Sequence, residues 1–270
     1  MDKFIDIIKV VVLAIIEGIS EWLPISSSGH MLLVDKFINL KMSSLFKEVF
    51  FIVVQLGAIL SVVVLFYKRI IPFYLDENKK IKSNKSVLKL WKKIIIACIP
   101  GGIVAILFDN FIEKYLHTPL VIASMLIVYG IIFLLVEKFK NTSNNTKQIS
   151  FKIAFLIGLF QVLSIIPGTS RSGATIIGAL LLGVSRVEAS EFSFLMAIPV
   201  MFGMSFIKIL KCGFIFTLEE VSLLLIGMIV AFFISLFVIK FLLSYIRKKD
   251  FKIFGIYRIS LGILILLYYI

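Results

Sequence analysis

The chain has 270 residues, of which 60% are hydrophobic, and a formal net charge of +13. Soluble domains are closer to half apolar, so this composition excludes an ordinary water-soluble fold. The lysines and arginines lie mostly between apolar segments, where they act as topology signals, and no nucleic-acid partner is expected. Cys98 and Cys212 have no paired spacing, so neither a disulfide framework nor a cysteine-based metal site is predicted.

Six segments are long and apolar enough to cross about 30 Å of hydrocarbon. They are 46–67, 91–109, 119–136, 191–210, 221–243 and 253–270. Two further apolar stretches, 4–38 and 150–188, are each broken by a proline and a polar cluster. Because broken backbone at membrane depth must be buried in protein or line a cavity, each stretch is predicted to be a re-entrant helical hairpin. The sequence thus predicts an all-α polytopic membrane protein with one membrane domain, 1–270.

The connections between the spans differ in charge. Loops 68–93, 137–152 and 244–252 are rich in lysine and arginine, whereas 110–118 and 211–220 are poor in them. The positive-inside rule therefore predicts that the three basic loops are cytoplasmic. The first hairpin then enters the membrane from the outer side and the second from the cytoplasmic side.

One hairpin followed by three spans occurs twice in the chain. The first predicted repeat is 1–136 and the second is 150–270. Because each repeat crosses the membrane an odd number of times, the second is inverted. Inverted repeats with paired interrupted helices are typical of proteins with a shared site near the middle of the membrane. The two hairpins are therefore expected to form one site.

Two glutamates lie near the polar cluster of the first hairpin. Glu17 and Glu21 are four residues apart and so share one helix face, behind an apolar stretch. A carboxylate inside a membrane helix costs about 3 kcal/mol and usually faces a cavity and a partner. The pair is expected to share a proton or to bind a divalent cation. The alternative is a helix end at the interface with solvated acids.

The polar cluster of the first hairpin is Ser26-Ser27-Ser28-Gly29-His30. One serine would suffice to cap the helix that follows, which is the alternative reading. Three hydroxyls, a glycine and an imidazole at membrane depth are more typical of an anion cradle with a nucleophile and a proton carrier.

The polar cluster of the second hairpin is Pro167-Gly-Thr-Ser-Arg-Ser-Gly173. Arg171 precedes a predicted helix, whose N-terminus favours phosphate, and its guanidinium can bind phosphate oxygens with two donors. The residues expected to bind phosphate around it are Ser26, Ser28, Gly168, Thr169, Ser170 and Ser172. Arg171 could instead neutralise Glu17 or Glu21, and that pairing would also bring the two hairpins together.

Acidic groups that hold a metal or take a proton, combined with cationic and N–H groups that hold oxyanions, suit phosphoryl transfer. A lipid substrate would reach such a site sideways between helices. A transporter or lipid flippase is the main alternative, because inverted repeats with broken helices are typical of transporters. Transport does not need the combination of Ser27, His30 and Arg171, and a structural scaffold would not need ionisable groups at membrane depth.

These motifs resemble those of the undecaprenyl-pyrophosphate phosphatase (bacitracin-resistance) family. The match is Glu17-Gly-Ile-Ser-Glu-Trp-Leu-Pro-Ile-Ser-Ser-Ser-Gly-His30 together with Pro167-Gly-Thr-Ser-Arg-Ser-Gly173, and the resemblance covers essentially the whole chain. Ser20 and Trp22 stand where the family often has Thr and Phe. The type 2 phosphatidic acid phosphatases share a Ser-Gly-His triplet and a Ser-Arg pair, but they need a histidine where this chain has Ile177.

The resemblance implies hydrolysis of undecaprenyl pyrophosphate to the monophosphate and inorganic phosphate, which recycles a lipid carrier for peptidoglycan synthesis. It also implies a bacterial cytoplasmic membrane protein, with an active site open to the outer face and Mg²⁺ or Ca²⁺ near Glu17 and Glu21. The catalytic set carried over is Glu21, Ser27, His30 and Arg171, with Glu17 supporting. Ser27 is expected to attack the outer phosphorus while Glu21 or His30 manages its proton, with an activated water as the other candidate nucleophile. The oligomeric state is left open, a homodimer included.

Overall fold

The structure of the chain is a computed structural model that describes residues 2–38, 40, 42–75, 81–139, 146–212 and 216–269. Its helices are α1 Asp2–Ser20, α2 Ser27–Ile38, α3 Ser44–Leu65, α4 Tyr67–Ile70, α5 Lys85–Tyr115, α6 Pro119–Phe139, α7 Phe151–Val162, α8 Arg171–Leu181, α9 Arg186–Cys212, α10 Leu218–Ile246 and α11 Lys252–Tyr269. A 3₁₀ turn, Leu163–Ile165, follows α7. Strands β1 (Phe73–Leu75) and β2 (Ile81–Ser83) pair antiparallel between α4 and α5, with Tyr74 opposite Lys82.

Six of the described helices, α3, α5, α6, α9, α10 and α11, are long and apolar enough to cross a membrane. This confirms the predicted all-α polytopic fold. Helices α5, α9 and α10 begin several residues before the predicted spans, because hydropathy marks only the apolar part of a helix whose polar ends continue beyond it. The membrane-spanning helices have apolar outward faces: Phe139 of α6, Phe237 of α10 and Leu267 of α11 are 74%, 81% and 81% exposed. Such a surface suits lipid rather than water.

Both predicted hairpins are broken helices, which confirms that part of the prediction. Helices α1 and α2 pack against each other, as do α7 and α8. In each hairpin the second helix begins directly after a serine with left-handed backbone, Ser26 with φ of 72° and Ser170 with φ of 73°. This region is uncommon for residues other than glycine, so the surrounding contacts must hold the two turns in place. The two turns therefore share the same backbone φ at the serine that precedes the second helix.

The long helices of the two halves pack in matched pairs. Helix α1 packs on α10 and α7 on α5, while α3 packs on α9 and α6 on α11. Exchanging one predicted repeat for the other would map these pairs onto one another. The division into repeats 1–136 and 150–270 stays a prediction. Two such repeats would be expected to pack in symmetric helix pairs of this kind. One contact has no equally close counterpart. Helix α3 packs extensively on α10, whereas the contact related to it by the predicted repeat, between α9 and α5, is much smaller.

Helix α8 lies at the centre of the largest apolar cluster. Its residues Ser172–Leu180 are all buried, and it packs against α6, α7 and α9. A helix that is buried on every side needs small residues where its neighbours come close. At Gly178 an added Cβ would lie 2.5 Å from the Phe160 ring. The second polar turn is therefore attached to a rigid, central helix.

The charge asymmetry of the loops generates a topology prediction for two exposed residues. Ser83 ends β2 on a loop predicted to be cytoplasmic, and Thr118 lies between α5 and α6 on the predicted outer side. In a background without Cys98 and Cys212, a cysteine at Thr118 should react with a membrane-impermeant maleimide in intact cells. A cysteine at Ser83 should react only after permeabilisation, and the reverse pattern would overturn the span orientation.

Candidate active site

The two hairpin turns contact each other directly. The Gly168 backbone N–H donates to Ser28 Oγ at 3.2 Å, and Ser172 Oγ donates to the Glu21 carbonyl oxygen at 3.3 Å. These bonds join residues from opposite halves of the chain. The structure therefore brings together the two polar clusters that the sequence predicted to form one site.

Arg258 of α11 binds both turns from behind. Its side chain is fully buried, and its guanidinium donates to the carbonyl oxygens of Pro24 at 3.1 Å, Gly168 at 2.8 Å and Thr169 at 2.9 Å. These carbonyl groups lie where the helices are interrupted, so they have no helical N–H partner and need another donor. The sequence analysis did not identify Arg258. A single arginine in the middle of an apolar span was the available signal.

Glu21 links the two hairpins through its carboxylate. Its Oε1 accepts from Arg171 Nη2 at 3.0 Å, and its Oε2 accepts from Ser27 Oγ at 3.1 Å. Arg171 also donates to the Ser193 carbonyl oxygen at 2.9 Å, and its guanidinium lies 5.8 Å from the centre of the Trp22 ring. The Glu21 and Arg171 side chains are only 9% and 12% exposed. A hydroxyl that donates to a buried carboxylate is the geometry of a nucleophile with its general base.

The remaining hydroxyls form two short chains around this pair. Ser26 Oγ lies 3.0 Å from Ser28 Oγ in the first turn, and Ser170 Oγ lies 3.2 Å from Ser172 Oγ in the second. Of the residues expected to bind phosphate, four line the cavity described below: Ser26, Ser28, Gly168 and Ser170. Thr169 and Ser172, which are both buried, are not among its lining residues.

His30 lies outside the cavity. Its Nδ1 is 2.8 Å from the Ser26 carbonyl oxygen and its Nε2 is 2.7 Å from the Tyr257 hydroxyl, with the two rings stacked. Since a carbonyl can only accept, Nδ1 carries the proton, and in the neutral ring Nε2 accepts from Tyr257. This geometry favours a role in holding the strained Ser26 turn. The proton-carrier role expected from the sequence stays a prediction.

A cavity of about 660 Å³ lies beside these groups. Glu17, Glu21, Ser27 and Arg171 form its polar end. Its apolar end is lined by small and aliphatic residues of α5 and α9: Gly101, Gly102, Ala105, Ile106, Gly203 and Met204. Ile106, which lines the cavity, is 74% exposed, so this part of the cavity wall also lies at the apolar surface of the bundle. Such a shape fits an amphiphile with an anionic head.

Glu17 differs from Glu21 in its partners. It is 6% exposed and lines the cavity, yet its carboxylate makes no hydrogen bond or ion pair to another described residue. Gln161 of α7 lines the same cavity, and its Oε1 is buried without a partner among the described residues. Carboxylate and carboxamide oxygens of this kind are the ligands that Mg²⁺ and Ca²⁺ prefer. Within the described residues, no group of three acidic, histidine or cysteine side chains could hold a metal, so Gln161 and water would have to complete the set.

A family model described as bacitracin resistance protein BacA matches residues 10–264. The chain belongs to the BacA family. An undecaprenyl-diphosphatase of Enterococcus faecalis is 58% identical over 98% of this chain and 97% of its own length. Undecaprenyl-diphosphatases of Desulfitobacterium hafniense and Lachnoclostridium phytofermentans are 52% and 53% identical, over 98% and 99% of this chain and 96% and 98% of their own lengths.

The buried arginine of this BacA-family chain generates a stability prediction. Replacing Arg258 by Met would leave the Pro24, Gly168 and Thr169 carbonyl groups without their donor, and each unsatisfied buried group costs about 1–3 kcal/mol. We expect Arg258→Met to lower the melting temperature in detergent markedly and to reduce activity. Arg247→Met at the exposed end of α10 is the matched control, and it should leave the melting temperature nearly unchanged. Equal melting temperatures for the two variants would contradict the bracing role of Arg258.

Proposed function

We propose that this chain hydrolyses undecaprenyl diphosphate to undecaprenyl monophosphate and inorganic phosphate, and so recycles a lipid carrier for cell-wall synthesis. The observation that carries the proposal is the Ser27–Glu21–Arg171 arrangement at the polar end of a cavity that opens to lipid. Relatives that are 52–58% identical along nearly the whole chain are undecaprenyl-diphosphatases, which supports the same activity here.

The hydrogen bonds of Ser27 define the chemical step. Its Oγ attacks the terminal phosphorus, its proton passes to Glu21 Oε2, and the bond from that phosphorus to the bridging oxygen breaks. Undecaprenyl monophosphate leaves, and water then hydrolyses the phosphoserine and restores Ser27. Arg171 pairs with Glu21 and holds its carboxylate beside Ser27. Attack by a water that Glu21 activates is the alternative first step.

Two helix N-termini border the polar end of the cavity and would hold the phosphates. Helix α2 begins at Ser27 and α8 begins at Arg171, and both of these residues line the cavity. The first N–H groups of a helix have no intrahelical acceptor, and the helix dipole favours an anion there. Donors fixed in this way stabilise charge that grows on the transferred phosphoryl group without having to reorganise.

The prenyl chain would leave the site between α5 and α9. These helices pack loosely, and the cavity wall they provide is made of glycines, an alanine and aliphatic side chains. An isoprenoid chain has no polar group to satisfy, so an apolar gap that reaches the lipid suits it. Only the diphosphate then needs specific polar contacts.

The position of the cavity along the helices supports an active site open to the outer face of a bacterial cytoplasmic membrane. Its lining begins near the middle of α5, at Cys98, and of α9, at Pro199, and continues along these helices toward the ends that the loop charges predict to be outside. On α3, which runs the opposite way, the lining is Glu48 to Gln55, from near the predicted outer end to the middle. All three segments therefore extend from the middle of the predicted spans toward the outer side.

We further propose a divalent cation, Mg²⁺ or Ca²⁺, at the polar end of the cavity, held by Glu17 with Glu21 nearby. When bound, it would neutralise charge on the diphosphate. A carboxylate buried without a counter-charge is unfavourable, so Glu17 either binds a cation or takes up a proton. The homodimer stays a prediction, which the mass of the protein–detergent complex by light scattering would test.

The serine nucleophile gives the central prediction. Ser27→Ala has no hydroxyl to form the phosphoserine, so phosphate release from undecaprenyl diphosphate should fall by at least about 10³-fold while the lipid still binds. The matched control is Ser61→Ala, which removes a buried hydroxyl that donates to the Ala58 carbonyl oxygen of its own helix. Near-normal release by Ser27→Ala would make water the nucleophile. No release by the unsubstituted protein would favour a transporter instead.

The cation generates a second prediction for the purified protein. Treatment with a chelator should abolish phosphate release, and added Mg²⁺ or Ca²⁺ should restore it, because the charges of the diphosphate and of Glu17 would otherwise repel each other. Release should be measured before and after the cation is returned, with melting temperature as a check on folding. Full activity in chelator would leave Glu17 and Glu21 as acid–base groups alone.

A further inference from the structure

Glu17 and Gln161 occupy equivalent positions in the two hairpins. Each lies in the last turn of the first helix of its hairpin, α1 or α7. Each also lies the same number of residues before the left-handed serine that precedes the second helix, Ser26 or Ser170. Both residues line the same cavity, as inverted repeats around a shared site would place them. A carboxylate in one half is thus matched by a carboxamide in the other.

Both side chains line the same cavity, and both hold oxygens to which no described residue donates. Gln161 is 4% exposed, and its Oε1 has no partner in the described part of the chain. The Glu17 carboxylate likewise receives no hydrogen bond from a described residue, whereas both carboxylate oxygens of Glu21 are bound, one by Arg171 and one by Ser27. Leaving two buried acceptors unpaired is costly. The cost is removed if a ligand that attracts oxygens binds between them.

The nearby cationic side chains do not supply that partner. Arg171 donates to Glu21 and to the Ser193 carbonyl oxygen, and Arg258 donates to backbone carbonyl groups of the two turns. Besides a proton on Glu17, the candidate is a small cation with a preference for oxygen ligands. We propose that the Gln161 side-chain oxygen and the Glu17 carboxylate together hold one divalent cation, directly or through a coordinated water. This rests on the proposed function and replaces Glu21 with Gln161 as the second ligand of that cation.

Helix α5 fixes the Gln161 carboxamide at the cavity wall. An added Cβ at Gly101 would lie 2.9 Å from Gln161 Nε2, so the glycine provides the space that the carboxamide fills. At the adjacent Gly102 nothing lies within 4 Å of an added Cβ. Gly101→Ala therefore displaces the carboxamide without removing any polar group, and Gly102→Ala is its matched control on the same helix.

The test measures cation binding rather than activity. Mn²⁺ is titrated into purified, metal-free protein in detergent, and the free ion is counted by electron paramagnetic resonance. Gln161→Leu, which keeps the size of the side chain, should weaken Mn²⁺ binding by about 10- to 100-fold. Glu17→Gln should weaken it at least as much. Gln55→Leu removes another carboxamide that lines the cavity, and it should bind Mn²⁺ as the unsubstituted protein does.

The glycine pair keeps the inference testable if Gln161→Leu does not fold. Gly101→Ala should weaken Mn²⁺ binding and Gly102→Ala should not. Binding unaffected in both Gln161→Leu and Gly101→Ala, or equally weakened in Gln55→Leu, would overturn the proposal. A protein that releases phosphate but binds no Mn²⁺ would refute this inference and leave the function standing. Binding that depends on Gln161 in a protein without phosphatase activity would do the reverse.

Discussion

Two helices that stop inside the membrane leave backbone carbonyl and N–H groups without helical partners, and the rest of the structure depends on satisfying them. Hydrocarbon offers no hydrogen bonds, so the partners must come from the protein. Arg258 supplies donors to carbonyl groups of both turns, and Ser28 Oγ accepts the Gly168 N–H. The two turns form hydrogen bonds with each other, and both accept hydrogen bonds from the same arginine. The same contacts therefore stabilise the fold and assemble the active site.

Hydropathy and local polar clusters made the six spans and the two broken helices predictable, because both signals are contained in short stretches of sequence. The pairing of Arg171 with Glu21 was one of the alternatives that the sequence left open, beside phosphate binding and pairing with Glu17, since few other partners exist at membrane depth. The role of Arg258 was not predicted, because its hydrogen bond to the Pro24 carbonyl oxygen joins residues 234 positions apart. The orientation of His30 away from the cavity depends on Tyr257, a contact that no local pattern encodes.

The two halves of the chain share an architecture but divide the chemistry between them. The first turn carries Ser27 and the second carries Arg171, although each begins a helix at an equivalent place. Helix packing is divided in the same way, because α3 and α10 are closely packed while the related helices α9 and α5 leave a gap. A strictly symmetric pair would give either two closed sides or two open ones. In the proposed mechanism, this asymmetry would provide one lipid opening and one nucleophile in a single site.

The buried ion pair explains how the site can wait for substrate in an active arrangement. Removing Glu21 and Arg171 from water is costly, and further hydrogen bonds must offset that cost. Ser27 supplies one to the carboxylate, and the Ser193 carbonyl group accepts one from the guanidinium. Because the Ser27 O–H is directed at Glu21, the lone pairs of Oγ point elsewhere and remain available to a phosphorus atom. The bond that stabilises the ion pair is thus the bond that would orient the proposed nucleophile toward the diphosphate.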